Sequence, residues 1–217
     1  MTNPWLQIPA SDYEGHMGSP GVAQLSFLAK VFRKSLEKYD SSSIALLGCS
    51  TGNGIEYIDS SVTRLVTAID INPEYLEVLR KRYQGRVSGL EIINADLETY
   101  TGENQKYSFI FAALIFEYLN PQVLLSKIAG WLGPCGVMVA ILQLPAQHSG
   151  KVSETAYESL KALDSIMNLI SPQEFRNMAA GAGLKEKEAE TVILESGKPF
   201  YAGTYIKTLQ SAFWEIE

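Results

Sequence analysis

Hydrophobic residues in this chain fall into short continuous runs and into longer stretches spaced every three or four positions, and the two kinds alternate. The first continuous run, Ile44–Leu47, passes straight into Gly48, Gly52 and Gly54. Such a run reads as a buried strand whose end approaches a ligand, because glycine accepts φ > 0 and leaves no side chain in the way. Upstream, Val22, Leu25, Leu28, Phe32 and Leu36 recur at helical spacing across Val22–Tyr39. Downstream, Leu65–Ile69 closes on Asp70, and Asn72-Pro73-Glu74 opens a helix with Leu76, Leu79 and Tyr83 on one face. Asn at the N-cap followed by Pro at the first helical position is a start signal. Leu90–Ile93 precedes Asp96, Tyr107–Phe116 precedes Asn120-Pro121 and a helix carrying Leu124, Ile128 and Trp131, and Val137–Leu144 is a fifth strand.

The two ends of the chain break this rhythm. Residues 1–20 read as irregular, with Gly18-Ser19-Pro20-Gly21 as a break, and Asn53–Ile58 is expected to open a helix behind the glycine turn. Lys151–Ile170 reads as a helical insertion, and Ser171-Pro172-Gln173-Glu174 opens one more helix. Leu184–Leu194 and Phe200–Thr208 are strands separated only by Glu195–Pro199, too short a link for a crossover, so they pair as an antiparallel hairpin. The pattern predicts an α/β fold: a doubly wound, seven-stranded, mostly parallel sheet with a C-terminal antiparallel hairpin and helices on both faces. One domain is expected, with residues 1–40 as a lid segment and helix, residues 41–217 as the main body, and the insertion at about 146–170.

Composition narrows the partners. With 217 residues, 46% hydrophobic and 19% charged, the chain can bury a full core without disulfides or metals. A net charge of −6 argues against nucleic acid or an anionic membrane as partner. Cys49 and Cys135 each sit in a glycine turn, with no CxxC or Cys/His spacing, which predicts reduced thiols and no metal site. No apolar run approaches the roughly 20 residues of a membrane helix, and residues 1–18 lack a basic-then-apolar leader. A cytoplasmic location is expected.

In an open parallel sheet, ligands bind beyond the carboxyl ends of the strands where strand order reverses. That brings the glycine turn, Asp70, Asp96 and Ala112-Ala113 to one crevice, and Asp70 follows Gly48 by 22 positions, near the offset at which a carboxylate meets both hydroxyls of a ribose. The run Gly48-Cys49-Ser50-Thr51-Gly52-Asn53-Gly54, the strand end Ala68-Ile69-Asp70-Ile71-Asn72, Asn94-Ala95-Asp96-Leu97, Phe109–Leu114, Leu132-Gly133-Pro134-Cys135-Gly136 and the closing hairpin together resemble the class I S-adenosylmethionine-dependent methyltransferases over about Ile44–Thr208. The resemblance implies S-adenosylmethionine as cofactor, with S-adenosylhomocysteine as product. Gly48, Cys49, Ser50, Gly52 and Gly54 would then make room for its methionine portion and ribose. Asp70 would bind the ribose hydroxyls, Ile71 and Leu97 would flank the adenine, Asp96 would accept from its amino group, and Ala112 would offer its backbone to the methionyl end. Two positions depart from the family: Leu46 stands where an acid usually orients the methionine ammonium, leaving Asn53 or Glu117 as substitutes, and Ser50 stands where glycine is common.

The expected activity is methyl transfer to a small-molecule acceptor. Ala113-Leu114-Ile115-Phe116 stands where base-amino methyltransferases carry an Asp/Asn-Pro-Pro-aromatic motif. His16, His148 and Tyr13 are the candidate proton-transfer residues, histidine having a suitable pKa near neutrality. Two rival readings are a protein that binds the cofactor without catalysis, which Leu46 favours, and an NAD-dependent oxidoreductase, which shares the glycine turn and the following acid.

Overall fold

Seven strands form where the apolar runs predict them: Ser43–Leu47 (β1), Leu65–Asp70 (β2), Leu90–Asn94 (β3), Tyr107–Ala113 (β4), Leu132–Gln143 (β5), Leu184–Ile193 (β6) and Pro199–Lys207 (β7). They are seen in a computed structural model that describes residues 3–146 and 150–208. The strand order is β3-β2-β1-β4-β5-β7-β6. β3 to β5 pair in parallel, whereas β7 runs antiparallel to both β5 and β6. Order reverses between β1 and β4, so the crevice opens over their carboxyl ends.

Strand parity sorts the core into two layers. In β1, Ile44 and Leu46 face one cluster, while Ala45 and Leu47 face the other. The first layer is covered by the helices Ala10–Gly18 (α1), Gln24–Lys38 (α2) and Pro73–Tyr83 (α3); the second is covered by Pro121–Trp131 (α4) and Pro172–Gly181 (α5). The predicted caps form: Asn72 Oδ1 accepts from Glu74 N, Asn120 Oδ1 accepts from Val123 N, and Ser171 and Glu174 close a capping box.

Four expectations are corrected. Residues 3–20 are not irregular, because Pro4–Gln7 forms a 3₁₀ turn and α1 follows it. The cap of α1 comes from 64 residues away, where Glu74 Oε1 accepts from Ala10 N. Asn53 opens no α-helix, only a 3₁₀ turn at Ile55–Tyr57, and Asp59 then folds back to accept from Ser61 N. Lys151–Ile170 contains a single 3₁₀ helix, Glu158–Ser165, whose Leu160 and Leu163 are buried. Finally, β5 begins at Leu132, and the Gly133–Gly136 turn is a bulge within it: the register shifts between Tyr107 and Phe109, and Cys135 has φ 58°.

Candidate active site

β1 ends in the cleft. Gly48 takes φ 65°, and a Cβ there would meet Ile115 Cδ1 at 3.0 Å, so this position requires glycine for both conformation and room. Ser50 also lies in the left-handed region, with φ 47°. The turn folds tightly on itself. Gly48 N and Cys49 N donate to Ile69 O at 2.9 and 3.1 Å, Ser50 N to Asp70 Oδ2 at 2.8 Å, and Gly52 N to Cys49 O at 2.9 Å. These four amides are thus satisfied inside the protein, and no α-helix begins there to present its N-terminal N–H groups to an anion.

Asp70 ends β2 only 7% exposed. Besides Ser50 N, its carboxylate accepts from Asn72 N at 2.8 Å. Burial pushes its pKa up to about 6, against the opposing pull of these backbone donors. A carboxylate has about four acceptor sites, so two remain for a ligand. Asp96 lies half-buried at the cleft beyond β3, with one oxygen accepting from Glu98 N at 2.9 Å. Ile71 and Leu97 line the same wall. An adenosine, whose ribose hydroxyls and amino group are donors, fits the chemistry of this wall: two carboxylate acceptors with the apolar Ile71 and Leu97 beside them.

Two segments roof the cleft, which has an internal volume of about 160 Å³. The first is the N-terminal segment. Asn72 Nδ2 holds Trp5 O at 2.8 Å, Trp5 packs edge-on against Tyr118 with centroids 5.0 Å apart, and Glu14 pairs with Arg82 while accepting from Thr51 Oγ1 at 2.6 Å. Tyr13 lies buried against Tyr75 with centroids 5.2 Å apart, and burial pushes its pKa up to about 12. The second segment is 150–167, tied down by Lys151 Nζ donating to Met167 O at 2.7 Å and by Gln143 Nε2 donating to Lys151 O at 2.6 Å. Gly15 lets the two meet, since a Cβ there would fall 2.1 Å from Tyr157 Cζ.

Beneath the roof lie His16 and Lys198. His16 Nδ1 and Thr155 Oγ1 are 2.9 Å apart, and burial together with the nearby Lys198 charge lowers the imidazole pKa. Lys198, in the β6–β7 turn, is 2% exposed; its Nζ donates to Lys151 O at 2.8 Å, and burial lowers its pKa to about 8. Leu46 is buried where the ammonium partner was sought. Of the substitutes, Asn53 lines the cleft, whereas Glu117 is fully buried behind it with Oε1 accepting from Gln143 N at 2.7 Å.

The cleft brings together Gly48, Cys49, Ser50, Asp70, Ile71, Asp96, Leu97, Tyr13 and His16. Gly52, Gly54 and Ala112 stand apart from it. A Cβ on Gly52 would meet Tyr83 Cε2 at 2.9 Å and one on Gly54 would meet Phe32 Cδ1 at 2.9 Å, so these two glycines serve packing against α3 and α2. The Ala112 side chain packs into the layer under α4 and α5, and Ala113, Leu114 and Ile115 line the cleft beside it. Leu114, at φ 54°, turns the chain over the site. His148 lies outside the described residues. Sequence reasoning did not single out Gln143, Lys151 or Lys198. Their signal was topological: β6 runs parallel to β5, so the hairpin turn falls at the carboxyl end of the sheet.

Residues 44–136 match the family model of a methyltransferase domain. No curated protein sequence matches the chain. Solved structures share the fold. An S-adenosylmethionine-dependent methyltransferase from Mesorhizobium loti superposes with a TM-score of 0.68 at 14% identity, over 84% of this chain and 99% of that one. The phosphoethanolamine N-methyltransferase 2 of Haemonchus contortus, solved with S-adenosylhomocysteine, gives 0.71 at 13% identity over 92% and 57%. The cyclase SpnF gives 0.67 at 10% identity over 85% and 82%.

Proposed function

We propose that this chain, whose residues 44–136 match a methyltransferase-domain model, is a class I S-adenosylmethionine-dependent methyltransferase that methylates a small molecule enclosed beneath the two roofing segments. The observation that carries this is the roof: residues 3–17 and 150–167 close the acceptor side with apolar and aromatic side chains, leaving room for a compact acceptor rather than a polymer strand. When bound, S-adenosylmethionine supplies a methyl already activated on a sulfonium. The chain contributes position and exclusion of water, which account for much of the barrier reduction in such a transfer. Asp70 is assigned the ribose hydroxyls, Ile71, Asp96 and Leu97 the adenine, and Gly48, Cys49 and Ser50 the approach to the methionine portion.

His16 is assigned the proton of the acceptor. Its lowered pKa keeps the imidazole neutral at pH 7, and Nε2 has no partner among the described residues. Tyr13, with its pKa near 12, remains a donor and orients rather than deprotonates. The nicotinamide reading lacks support, because no α-helix begins at the glycine turn to receive a pyrophosphate at its N-terminus. Reduced Cys49 and Cys135 accord with a cytoplasmic setting.

No helix among the described residues is long and apolar enough to cross a membrane. A second reading, cofactor binding without transfer, draws on Leu46 and on a cyclase sharing the fold. The test is S-adenosylhomocysteine formation from S-adenosylmethionine across a panel of oxygen, nitrogen and sulfur nucleophiles. Acceptor-dependent turnover is expected, with His16→Ala slowing it about 10²–10⁴-fold while S-adenosylhomocysteine affinity holds. Cofactor binding with no turnover on any acceptor supports the second reading.

A further inference from the structure

The hairpin turn 194–198 places one buried cation at the acceptor end of the cleft, and the fold gives that cation too little to do. Lys198 Nζ has three N–H donors but one recorded acceptor, Lys151 O at 2.8 Å. That carbonyl is already held by Gln143 Nε2 at 2.6 Å, so the tether does not depend on the ammonium. No carboxylate lies within ion-pair distance of Lys198 among the described residues; Asp164 acts on it only through its field. A buried ammonium without a counter-ion is unfavourable, and an anionic ligand would supply the missing charge. The cleft it lines also carries Met17, Leu28, Leu160, Leu163 and Met167, an apolar wall beside the polar His16, Gln143 and Lys151.

We propose that the acceptor is an amphipathic monoanion, a carboxylate-type acid with an apolar body, whose anionic oxygens are held by Lys198 Nζ. The inference rests on the methyltransferase reading above. A phosphate dianion fits less well, because the neighbouring Lys151 ammonium is committed to Met167 O and His16 is neutral at pH 7.

The experiment is calorimetric titration of the full chain saturated with S-adenosylhomocysteine. Its probes are butanoate, octanoate and phenylacetate, their neutral amides, and octyl phosphate. The same titration is run on Lys198→Met and Lys198→Arg, each first titrated with S-adenosylhomocysteine alone. One charge-assisted hydrogen bond predicts that at least one acid binds about tenfold or more tighter than its amide. That preference should collapse in Lys198→Met and survive in Lys198→Arg, with S-adenosylhomocysteine affinity unchanged in both. Equal binding of acid and amide, binding of no acid, tighter binding of octyl phosphate than of octanoate, or a preference that persists in Lys198→Met overturns the proposal. Failure of the wild type to bind S-adenosylhomocysteine overturns the methyltransferase reading instead.

Discussion

Replacing Asp70 by Asn separates what the carboxylate does for binding from what it does to the fold. In the free protein the group is 7% exposed and its pKa rises from an ordinary 3.8 to about 6. At 1.36 kcal/mol per pH unit, that rise means its ionised form disfavours the folded state by roughly 3 kcal/mol. The folded pKa is the higher one, so the stabilising contribution is complete below pH ~4 and is lost as pH rises through about 6. The Asp70→Asn substitution removes this slope but turns the new amide nitrogen toward one of two donors, Ser50 N or Asn72 N, which costs about 1–3 kcal/mol. At pH 7.5 the two effects nearly cancel, and the midpoint should move by no more than a few degrees. Binding should respond very differently. Two charge-assisted hydrogen bonds to ribose hydroxyls, at about 1.5–3 kcal/mol each, predict a loss of 10² or more in S-adenosylhomocysteine affinity. The assay is thermal unfolding from pH 5 to 8 together with calorimetric titration of the ligand. Affinity within about threefold of wild type would refute the ribose assignment, and an unaltered pH slope would refute the burial argument.

Three further outcomes follow from the geometry. Gly48→Ala and Gly54→Ala should part company. The first crowds Ile115 in the cleft and should weaken S-adenosylhomocysteine binding about tenfold or more; the second forces φ 91° and meets Phe32, costing about 2–4 kcal/mol in a denaturant titration with ligand affinity kept. Glu117→Gln keeps an acceptor for Gln143 N and removes a fully buried carboxylate whose pKa is pushed from 4.5 up to about 7. Since the folded pKa is the raised one, the wild type loses this contribution as pH rises through 7, so the variant should match it near pH 5 and exceed it by about 2 kcal/mol at pH 8.

Much of this molecule could be read before it was seen, because its local signals agree with its tertiary ones. Asn72-Pro73, Asn120-Pro121 and the Ser171–Glu174 box start helices where their own side chains cap them. Helix α1 was illegible for the opposite reason. Its cap is Glu74, and glycines at 15 and 18 dilute its apolar face, so Ala10, Tyr13 and Met17 acquire meaning only against α3 and segment 150–167.

The glycine turn was visible as a motif, but sequence does not reveal which glycine faces the cleft and which faces a helix; Gly48 does the first, Gly52 and Gly54 the second. Ala112 and Ala113 differ only in strand parity, and one residue of register decides which reaches the cleft. Lys198 and His16, 182 positions apart in the chain, line one cleft, where the Lys198 charge acts on the imidazole, a proximity that only the finished sheet creates.

On the methyltransferase reading this cleft binds S-adenosylmethionine. Equilibrium titration of the wild-type chain with S-adenosylmethionine, S-adenosylhomocysteine and NAD tests it most directly. One molecule of either adenosyl ligand should bind per chain, each displacing the other, with no measurable binding of NAD. Binding of NAD, or of none of the three, would contradict it.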